Sequence, residues 1–187
     1  MSGETEPEWE KDLVTEIRDG GCTWKGVGSL EVEGSSAVEI NAGCIEQYKD
    51  FLFIGNLKED GEERPSRLRW SQWQNPRLWH NNEDGSGMAG YVDVNDIDGE
   101  IVALHRIGDI LAVYKEGGIV AVTYSGGDTV FSKELITTRA GLCSPTAVVV
   151  LPHSHLFVSK DNIYEFDGNT VNPIGDPIYK YFLKHVA

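Results

Sequence analysis

The fold of this chain follows from one stretch, Arg67-Leu68-Arg69-Trp70-Ser71-Gln72-Trp73-Gln74-Asn75-Pro76-Arg77-Leu78-Trp79. Its first four residues alternate polar and apolar side chains, which predicts a strand whose leucine and tryptophan share a buried face. The proline then ends the strand, because it has no amide hydrogen for a sheet ladder. We expect Trp79 to close over that strand, with its indole N–H paired locally. The stretch therefore predicts a structural corner made of Arg69, Trp70, Ser71, Pro76 and Trp79.

The same residues also suit a binding surface. Arginine beside tryptophan favours stacking on nucleic-acid bases, and exposed tryptophan rings favour stacking on sugars. In the sugar-binding alternative, Trp73 and Trp79 would provide the two rings. Burial of the tryptophans would favour the corner, whereas exposure to solvent would favour binding.

Length and composition favour one globular domain, or two small ones. The 187 residues are 40% hydrophobic, and no apolar run reaches the roughly 20 residues that span a bilayer. The N-terminus lacks the basic and then apolar pattern of a signal peptide. Three cysteines (Cys22, Cys44 and Cys143) lie far apart without the spacing of a zinc site or a disulfide framework. We therefore expect reduced thiols, a protein made in a cytoplasm, and no membrane association.

The acidic charge is concentrated near the N-terminus. The net charge is −14, and residues 1–63 hold 16 acids against 5 bases, which gives −11. Proteins that wrap nucleic acid through its phosphates need an excess of Lys and Arg. We therefore expect no specific nucleic-acid binding. Such a surface would repel DNA, which is useful where DNA must slide past without adhering.

The chain divides into an acidic N-terminal arm with the first strands, residues 1–43, and a β domain, residues 44–187. Residues 7–20 predict a short helix or a disordered tail, in which Trp9, Leu13 and Ile17 recur every four residues. That apolar face is narrow and highly charged around its edges, so the segment is marginal alone. The three apolar residues are candidates for docking on a partner.

Beyond residue 44 the pattern is strand, turn, strand. Three units begin with two strands each and continue into a third: 45–48, 51–55 and 67–71; 101–107, 110–114 and 118–124; 146–151, 155–159 and 162–167. Strand meanders repeated at roughly 40–50 residues are typical of β-propeller blades. We therefore expect an all-β fold of propeller-like antiparallel meanders. Three units are fewer than the roughly 4 to 8 blades that close a propeller. Residues 20–43 would supply part of another blade, other subunits would complete the ring, or the propeller would remain an open fragment.

The C-terminus changes period. Asp176 and Pro177 suit the cap and first turn of a helix. They precede a spaced apolar set that predicts a short amphipathic helix packed on the last sheet: Ile178, Tyr181, Phe182 and His185.

No pattern in the sequence carries a catalytic, cofactor or metal site. His153 and His155 lack a third ligand, so we interpret them as turn histidines. The acidic run 93–100 misses a calcium ligand at its fifth position and predicts instead a hairpin turn at Asp98-Gly99. Ser71 has no glycine elbow, and Cys143 has no nearby base to activate its thiol. We expect no enzyme activity and no cofactor.

Several of these motifs occur in a characteristic order. They are Arg67-Leu68-Arg69-Trp70-Ser71, Asn75-Pro76 with Trp79, Ala89-Gly90-Tyr91-Val92-Asp93, 101–107, 118–120, Gly141 with Ser144-Pro145, and 162–168. In this order the chain, over residues 44–185, resembles β-propeller structural proteins of tailed bacteriophages. In that family one blade carries an arginine-x-tryptophan-serine strand followed by a proline-x-x-tryptophan corner.

The resemblance implies a virion component of the tail or the head–tail junction. Such a protein would be made in the host cytoplasm and would act by assembly with other virion proteins, as a ring or a homo-oligomer. The alternative is a receptor- or glycan-binding module. A glycan hydrolase with acidic loop residues is the third hypothesis, and it would need two carboxylates about 5–10 Å apart in a cleft.

Overall fold

Strands and turns make up nearly all of the structure. The computed structural model describes residues 17–18, 21–22, 24–30, 38–81, 86–127, 129–176 and 181. A two-stranded ribbon comes first and pairs β1 (Ile17–Arg18) with β2 (Gly21–Cys22). Three larger antiparallel sheets follow. The prediction of an all-β fold is confirmed.

Each larger sheet is a meander, because its strands lie side by side in their order along the chain. The first sheet contains β3 (Trp24–Leu30), β4 (Val38–Tyr48), β5 (Phe51–Glu59), β6 (Glu62–Trp70) and β7 (Gly90–Asp93). The second contains β8 (Ile101–Ile107), β9 (Ile110–Lys115), β10 (Ile119–Tyr124) and β11 (Phe131–Thr137). The third contains β12 (Val148–Val150), β13 (His155–Val158), β14 (Ile163–Phe166) and β15 (Val171–Pro173).

Two of the predicted hairpin turns occur where the sequence places them. Lys49 and Asp50 join β4 to β5 with φ angles of 49° and 61°, the positive pair that matches the twist of a two-residue hairpin. At the turn after β14, the Asp167 carboxylate accepts hydrogen bonds from the amides of Asn169 at 2.9 Å and Thr170 at 2.7 Å. Turns of this kind help to set the strand register of the first and third sheets.

An aromatic core joins the first sheet to the second. Leu68 and Trp70 point to the same buried face of β6, as their alternation predicts. The ring of Phe131, from β11, lies edge-on to Phe53 at 4.9 Å and to Trp70 at 5.1 Å between centroids. Edge-to-face contacts of this kind stabilise a core beyond the apolar area that they bury.

The second sheet is covered on both faces. Its other face packs against the third sheet, where Tyr114 lies edge-on to Phe157 at 5.4 Å between ring centroids. Double burial explains why β8 begins with four consecutive buried residues, Ile101 to Leu104, where a half-exposed strand would alternate. The three larger sheets therefore form a stack with the second sheet at its centre.

Gly141 permits a close backbone approach behind the second sheet. A Cβ atom at this position would lie 2.0 Å from the carbonyl oxygen of Glu116, which is far inside contact distance. The approach allows the amide of Leu142 to donate to the carbonyl of Lys115 at 3.0 Å. The glycine is therefore required by sterics at this position.

The acidic loop before β8 differs from its prediction. Asp98-Gly99 forms no hairpin, because β7 and β8 belong to different sheets and the loop crosses between them. The fully buried Lys115 fixes this crossing by donating to the carbonyls of Val94 at 2.6 Å and Ile97 at 2.7 Å. Burial lowers the pKa of this lysine. The local sequence cannot reveal the crossing, since the anchoring lysine lies on β9.

Other predictions meet the structure only in part. The described residues form no closed barrel or propeller. The first sheet continues through the division predicted between residues 43 and 44, which lies within β4. Ile17 lies in β1 and is not helical, while the rest of the predicted segment 7–20 falls largely outside the described residues. The predicted C-terminal helix lies outside them too, apart from its cap Asp176 and Tyr181.

Candidate functional site

Ser71 ties the end of β6 to β5. Its amide donates to the carbonyl of Leu52 at 2.9 Å, and its Oγ accepts from the Leu52 amide at 3.0 Å. The hydroxyl itself donates to the carbonyl of Gln72 at 3.0 Å. The side chain is fully buried, so both of its hydrogen-bonding roles are satisfied within the corner. Ser71 is therefore a structural residue.

The corner itself is closed by backbone hydrogen bonds around Pro76. The amide of Gln72 donates to the carbonyl of Leu78 at 2.7 Å, and the amide of Gln74 donates to the backbone carbonyl of Asp50 at 2.8 Å. Pro76 is exposed and shapes the turn without entering the core. Trp79 is only 2% exposed.

The two corner tryptophans lie on opposite faces of the first sheet. Trp70 belongs to the core shared with the second sheet, whereas Trp79 packs with Ile40, Ile54 and Leu57 on the outer face. The prediction of a paired Trp79 indole is wrong among the described atoms: its Nε1 has no hydrogen-bond partner there. The paired indole is that of Trp70, whose Nε1 donates to the carbonyl of Met88 at 2.6 Å. The partner residue lies on the chain that returns to β7, which the corner sequence alone does not contain.

The arginines of β6 are engaged within the first sheet. Arg67 makes a two-pronged pair with Asp93, Nε to Oδ1 at 2.8 Å and Nη2 to Oδ2 at 3.0 Å. Its Nη1 also donates to Glu59 at 2.7 Å, and Arg69 donates to the other oxygen of that carboxylate. The Arg67 guanidinium lies 4.0 Å above the Tyr91 ring centre. These contacts leave neither arginine free to stack on nucleic-acid bases.

Sequence reasoning missed this ion-pair network. Strand register brings Arg67 opposite Asp93 and Arg69 opposite Tyr91. The hydrogen bonds from Arg67 lower the pKa of the Asp93 carboxyl. Alternation along β6 places both arginines on one face, which is the one signal in the sequence that favours shared partners.

The exposure of the tryptophans separates the alternatives for this surface. Trp73 is 53% exposed at the tip of the corner, whereas Trp79 is buried. A sugar platform built from both rings therefore does not form. Of the residues predicted to dock on a partner, Trp9 and Leu13 lie outside the described residues, and Ile17 lies in β1.

A cavity of about 360 Å³ lies where one strand from each larger sheet meets the others. β4 contributes Glu46, β8 contributes His105 and Arg106, and the end of β12 contributes Val150 and Leu151. The Glu46 carboxylate lies 3.8 Å from His105 Nδ1 and 3.7 Å from Arg106 Nε, beyond hydrogen-bonding distance. Burial raises the pKa of Glu46.

His155 lies beside this cavity and is buried in β13, although its sequence predicts a turn histidine. Its Nε2 lies 3.0 Å from the carbonyl oxygen of Arg106, which can only accept, so Nε2 carries the proton. Its Nδ1 then accepts from the Tyr114 hydroxyl at 2.8 Å. The neutral imidazole thus links the second sheet to the third. His153 remains an exposed turn residue, as predicted.

The half-buried His105 and the buried His155 predict a stability that falls in mild acid. Burial lowers the pKa of His105 and of His155 below the ordinary 6.5, and their rings lie 5.9 Å apart. The unfolded chain therefore takes up protons first, so the free energy of unfolding should decrease as pH falls through about 6.5. Glu46 has the opposite effect on the free energy of unfolding at lower pH. Because its pKa is raised in the folded protein, the folded state binds a proton before the unfolded state does and is stabilised.

Urea unfolding across a pH series measures this dependence. His105→Gln and His155→Gln should each reduce the slope between neutral pH and about 6. A slope equal to the wild-type slope in both variants would contradict the assignment to these histidines.

The Cys44 thiol is a poor nucleophile in this structure. Burial raises the pKa of the Cys44 thiol to about 12, which keeps it protonated and unreactive. Within the described part of the chain, no group of three or more His, Cys, Asp or Glu side chains is placed to hold a metal ion.

Among the described residues no helix has the length and apolarity needed to cross a bilayer. No protein-family model matches the chain, and no curated protein is detectably similar to it.

Proposed function

We propose that this protein is a structural component of a tailed-phage virion, in the tail or the head–tail junction, and acts by assembly with other virion proteins. One observation carries the proposal. The second sheet is covered on both faces, whereas β12, in the third sheet at the end of the stack, exposes the side chains of Val149 and Val150. An unfinished stack of this kind favours completion by other subunits.

The stack is propeller-like in this proposal. Sequential four-stranded meanders packed face to face are the blades of a propeller, and the innermost strands of successive blades surround its axis. β4, β8 and β12 all reach the cavity near Glu46; β8 and β12 are edge strands of their sheets, whereas β4 lies between β3 and β5. A closed propeller has roughly 4 to 8 blades, so other subunits would contribute the missing ones as a ring or a homo-oligomer.

The corner motif supports the same assignment. The arginine-x-tryptophan-serine segment forms the end of β6, the proline-x-x-tryptophan segment closes the corner, and Gly90 begins the strand that pairs with β6. A Cβ atom on Gly90 would lie 2.9 Å from the Trp70 ring. The motif therefore has a physical reason to occur as a unit, which strengthens the resemblance to phage propeller proteins.

The net charge of −14 suits a position beside passing DNA. An acidic wall repels the phosphates and keeps the genome from adhering, without any specific nucleic-acid binding. In the proposed ring, the acids of residues 1–63 would face the DNA path.

Imaging of the assembled phage particle tests the proposal. We expect several copies arranged around the tail or neck axis, with the third sheet in contact with a neighbouring subunit. A protein that is absent from purified particles, and is monomeric at all concentrations, would contradict the assembly function. Acids of residues 1–63 turned away from the lumen would contradict only the role beside DNA.

The exposure of Trp73 favours one second candidate, a receptor- or glycan-binding module. A single exposed ring can stack on a sugar, although the second ring expected for this site is buried. Binding to a glycan array that is lost in Trp73→Ala would favour this candidate over assembly.

A further inference from the structure

β12 is an edge strand of the third sheet. Among the described residues it pairs with β13 alone. The carbonyl of Ala147 accepts from Val158 and the amide of Leu151 donates to Ser154, so both groups point toward β13. Backbone groups alternate along an antiparallel strand, so those of Val149 also point toward β13. Those of Val148 and Val150 point away, and they have no hydrogen-bond partner among the described residues.

The side chains at this edge are apolar and exposed. Val149 is 58% exposed, Val150 51% and Leu151 39%. Proteins usually block an edge strand with a charged side chain, a proline or a bulge, because an open edge recruits other strands. None of these devices occurs within β12 itself, and the nearest, Pro152, follows the strand after Leu151.

The opposite edge of the same sheet is blocked. The amide of Ile174 donates to the carbonyl of Ile163, and that of Asp167 donates to the carbonyl of Thr170. By the same alternation, the backbone nitrogens of Val171 and Pro173 point outward from β15. Proline has no N–H to offer, so Pro173 leaves Val171 as the outward amide of β15 and weakens pairing at that edge. The contrast indicates that the β12 edge is open for use.

The surroundings of the open edge are acidic. Two cavities meet at Pro152, just after β12, and together they are lined by the carboxylates of Glu46, Asp109 and Asp167 and by the guanidinium of Arg106. Asp109 is already paired with Lys49 at 2.7 Å, which leaves Glu46 and Asp167 to face a partner. Hydrogen bonds from the amides of Asn169 and Thr170 lower the pKa of Asp167, so it is ionised at neutral pH. The charge favours a cationic side chain in whatever chain segment pairs with the edge.

We propose that β12 binds an extended peptide segment of a partner protein by strand addition. Its backbone pairs with Val148 and Val150, its apolar side chains cover the exposed valines, and a Lys or Arg side chain enters the cavity beside Glu46. Main-chain bonds supply affinity in this mode of recognition, and side-chain pockets supply selectivity. The identification of the partner as a virion protein rests on the proposed function, whereas the binding mode does not.

A synthetic six-residue peptide, acetyl-Thr-Val-Lys-Val-Thr-Val-amide, tests the binding mode on the full chain by NMR. Strand addition should protect the amides of Val148 and Val150 from hydrogen exchange and leave Val149 unchanged, since that amide is already paired. Replacement of the peptide lysine by glutamate should weaken binding by about tenfold, which is the effect of a modest charge preference. Glu46→Gln should reduce that preference.

A matched pair of proline variants locates the site. Val150→Pro removes an outward amide at the open edge, while Val171→Pro removes one at the opposite edge of the same sheet. We expect at least about tenfold weaker peptide binding in Val150→Pro and wild-type binding in Val171→Pro. A thermal melt tests whether both variants are folded. If Val150→Pro is unfolded, Val150→Lys is used in its place.

Three results would overturn the proposal. The first is the absence of amide protection at Val148 and Val150 with the lysine peptide. The second is an equal loss of binding in both proline variants. The third is protection of these amides in the free protein, which would show that the edge is occupied by the chain itself or by a second copy. If these experiments contradict strand addition but the protein is found in phage particles, the proposed assembly function is unaffected.

Discussion

Replacement of Trp70 by alanine is expected to lower the free energy of unfolding by about 3–5 kcal/mol, the range for deleting a large buried aromatic side chain. The ring is 8% exposed and contacts both Phe53 and Phe131, at 5.9 and 5.1 Å between centroids. The substitution also leaves the carbonyl of Met88 without its indole donor. Denaturant unfolding followed by fluorescence measures the change.

Trp73→Ala is the matched control for this experiment. It deletes the same side chain from the same corner, but the Trp73 ring is 53% exposed. Surface substitutions usually change stability by no more than about 0.5 kcal/mol. Equal losses in the two variants, or a loss below about 1 kcal/mol in Trp70→Ala, would refute the structural role of the buried ring.

Replacement of Glu59 by alanine is expected to cost about 2–4 kcal/mol, because it leaves shielded guanidinium groups without their carboxylate. The Glu59 side chain is 11% exposed, and those of Arg67 and Arg69 are 13% and 19% exposed. Arg67 keeps its pair with Asp93, whereas Arg69 loses the only carboxylate that it contacts among the described residues. Urea unfolding at neutral pH measures the loss.

The Lys58–Glu63 pair on the same sheet supplies the control. Its side chains are 47% and 69% exposed, so Glu63→Ala should cost less than about 1 kcal/mol. If Arg69 is the group left unpaired, Arg69→Ala should recover part of the loss in a Glu59→Ala background. A cost for Glu59→Ala no greater than that for Glu63→Ala would show that the network contributes little.

Strands and turns could be predicted because their causes are local. Alternation placed Leu68 and Trp70 on one buried face, and the turns at Lys49-Asp50 and Asp167-Gly168-Asn169 were predicted from neighbouring residues. The uninterrupted apolar runs of β8 and β9 likewise reflect their double burial. Periodicity within a segment needs no knowledge of the rest of the chain.

The candidate sites depend instead on which segments meet. The local pattern predicted a turn for His155, but its partners are Tyr114, 41 positions away, and Arg106, 49 positions away. The open edge at β12 follows from the order of strands in a sheet, and an apolar run alone does not reveal it.

The sequence by itself determined that this protein is built from antiparallel meanders with a tryptophan corner, because side-chain alternation and turn chemistry act within a few residues. Only the tertiary structure decided which face each ring occupies. It placed Trp79 and Trp70 on opposite faces of the first sheet and paired the arginines of β6 with Glu59 and Asp93. It also buried Lys115 beneath the loop that crosses from the first sheet to the second. These outcomes require strand register and the packing of one sheet on another, which join residues that are distant along the chain.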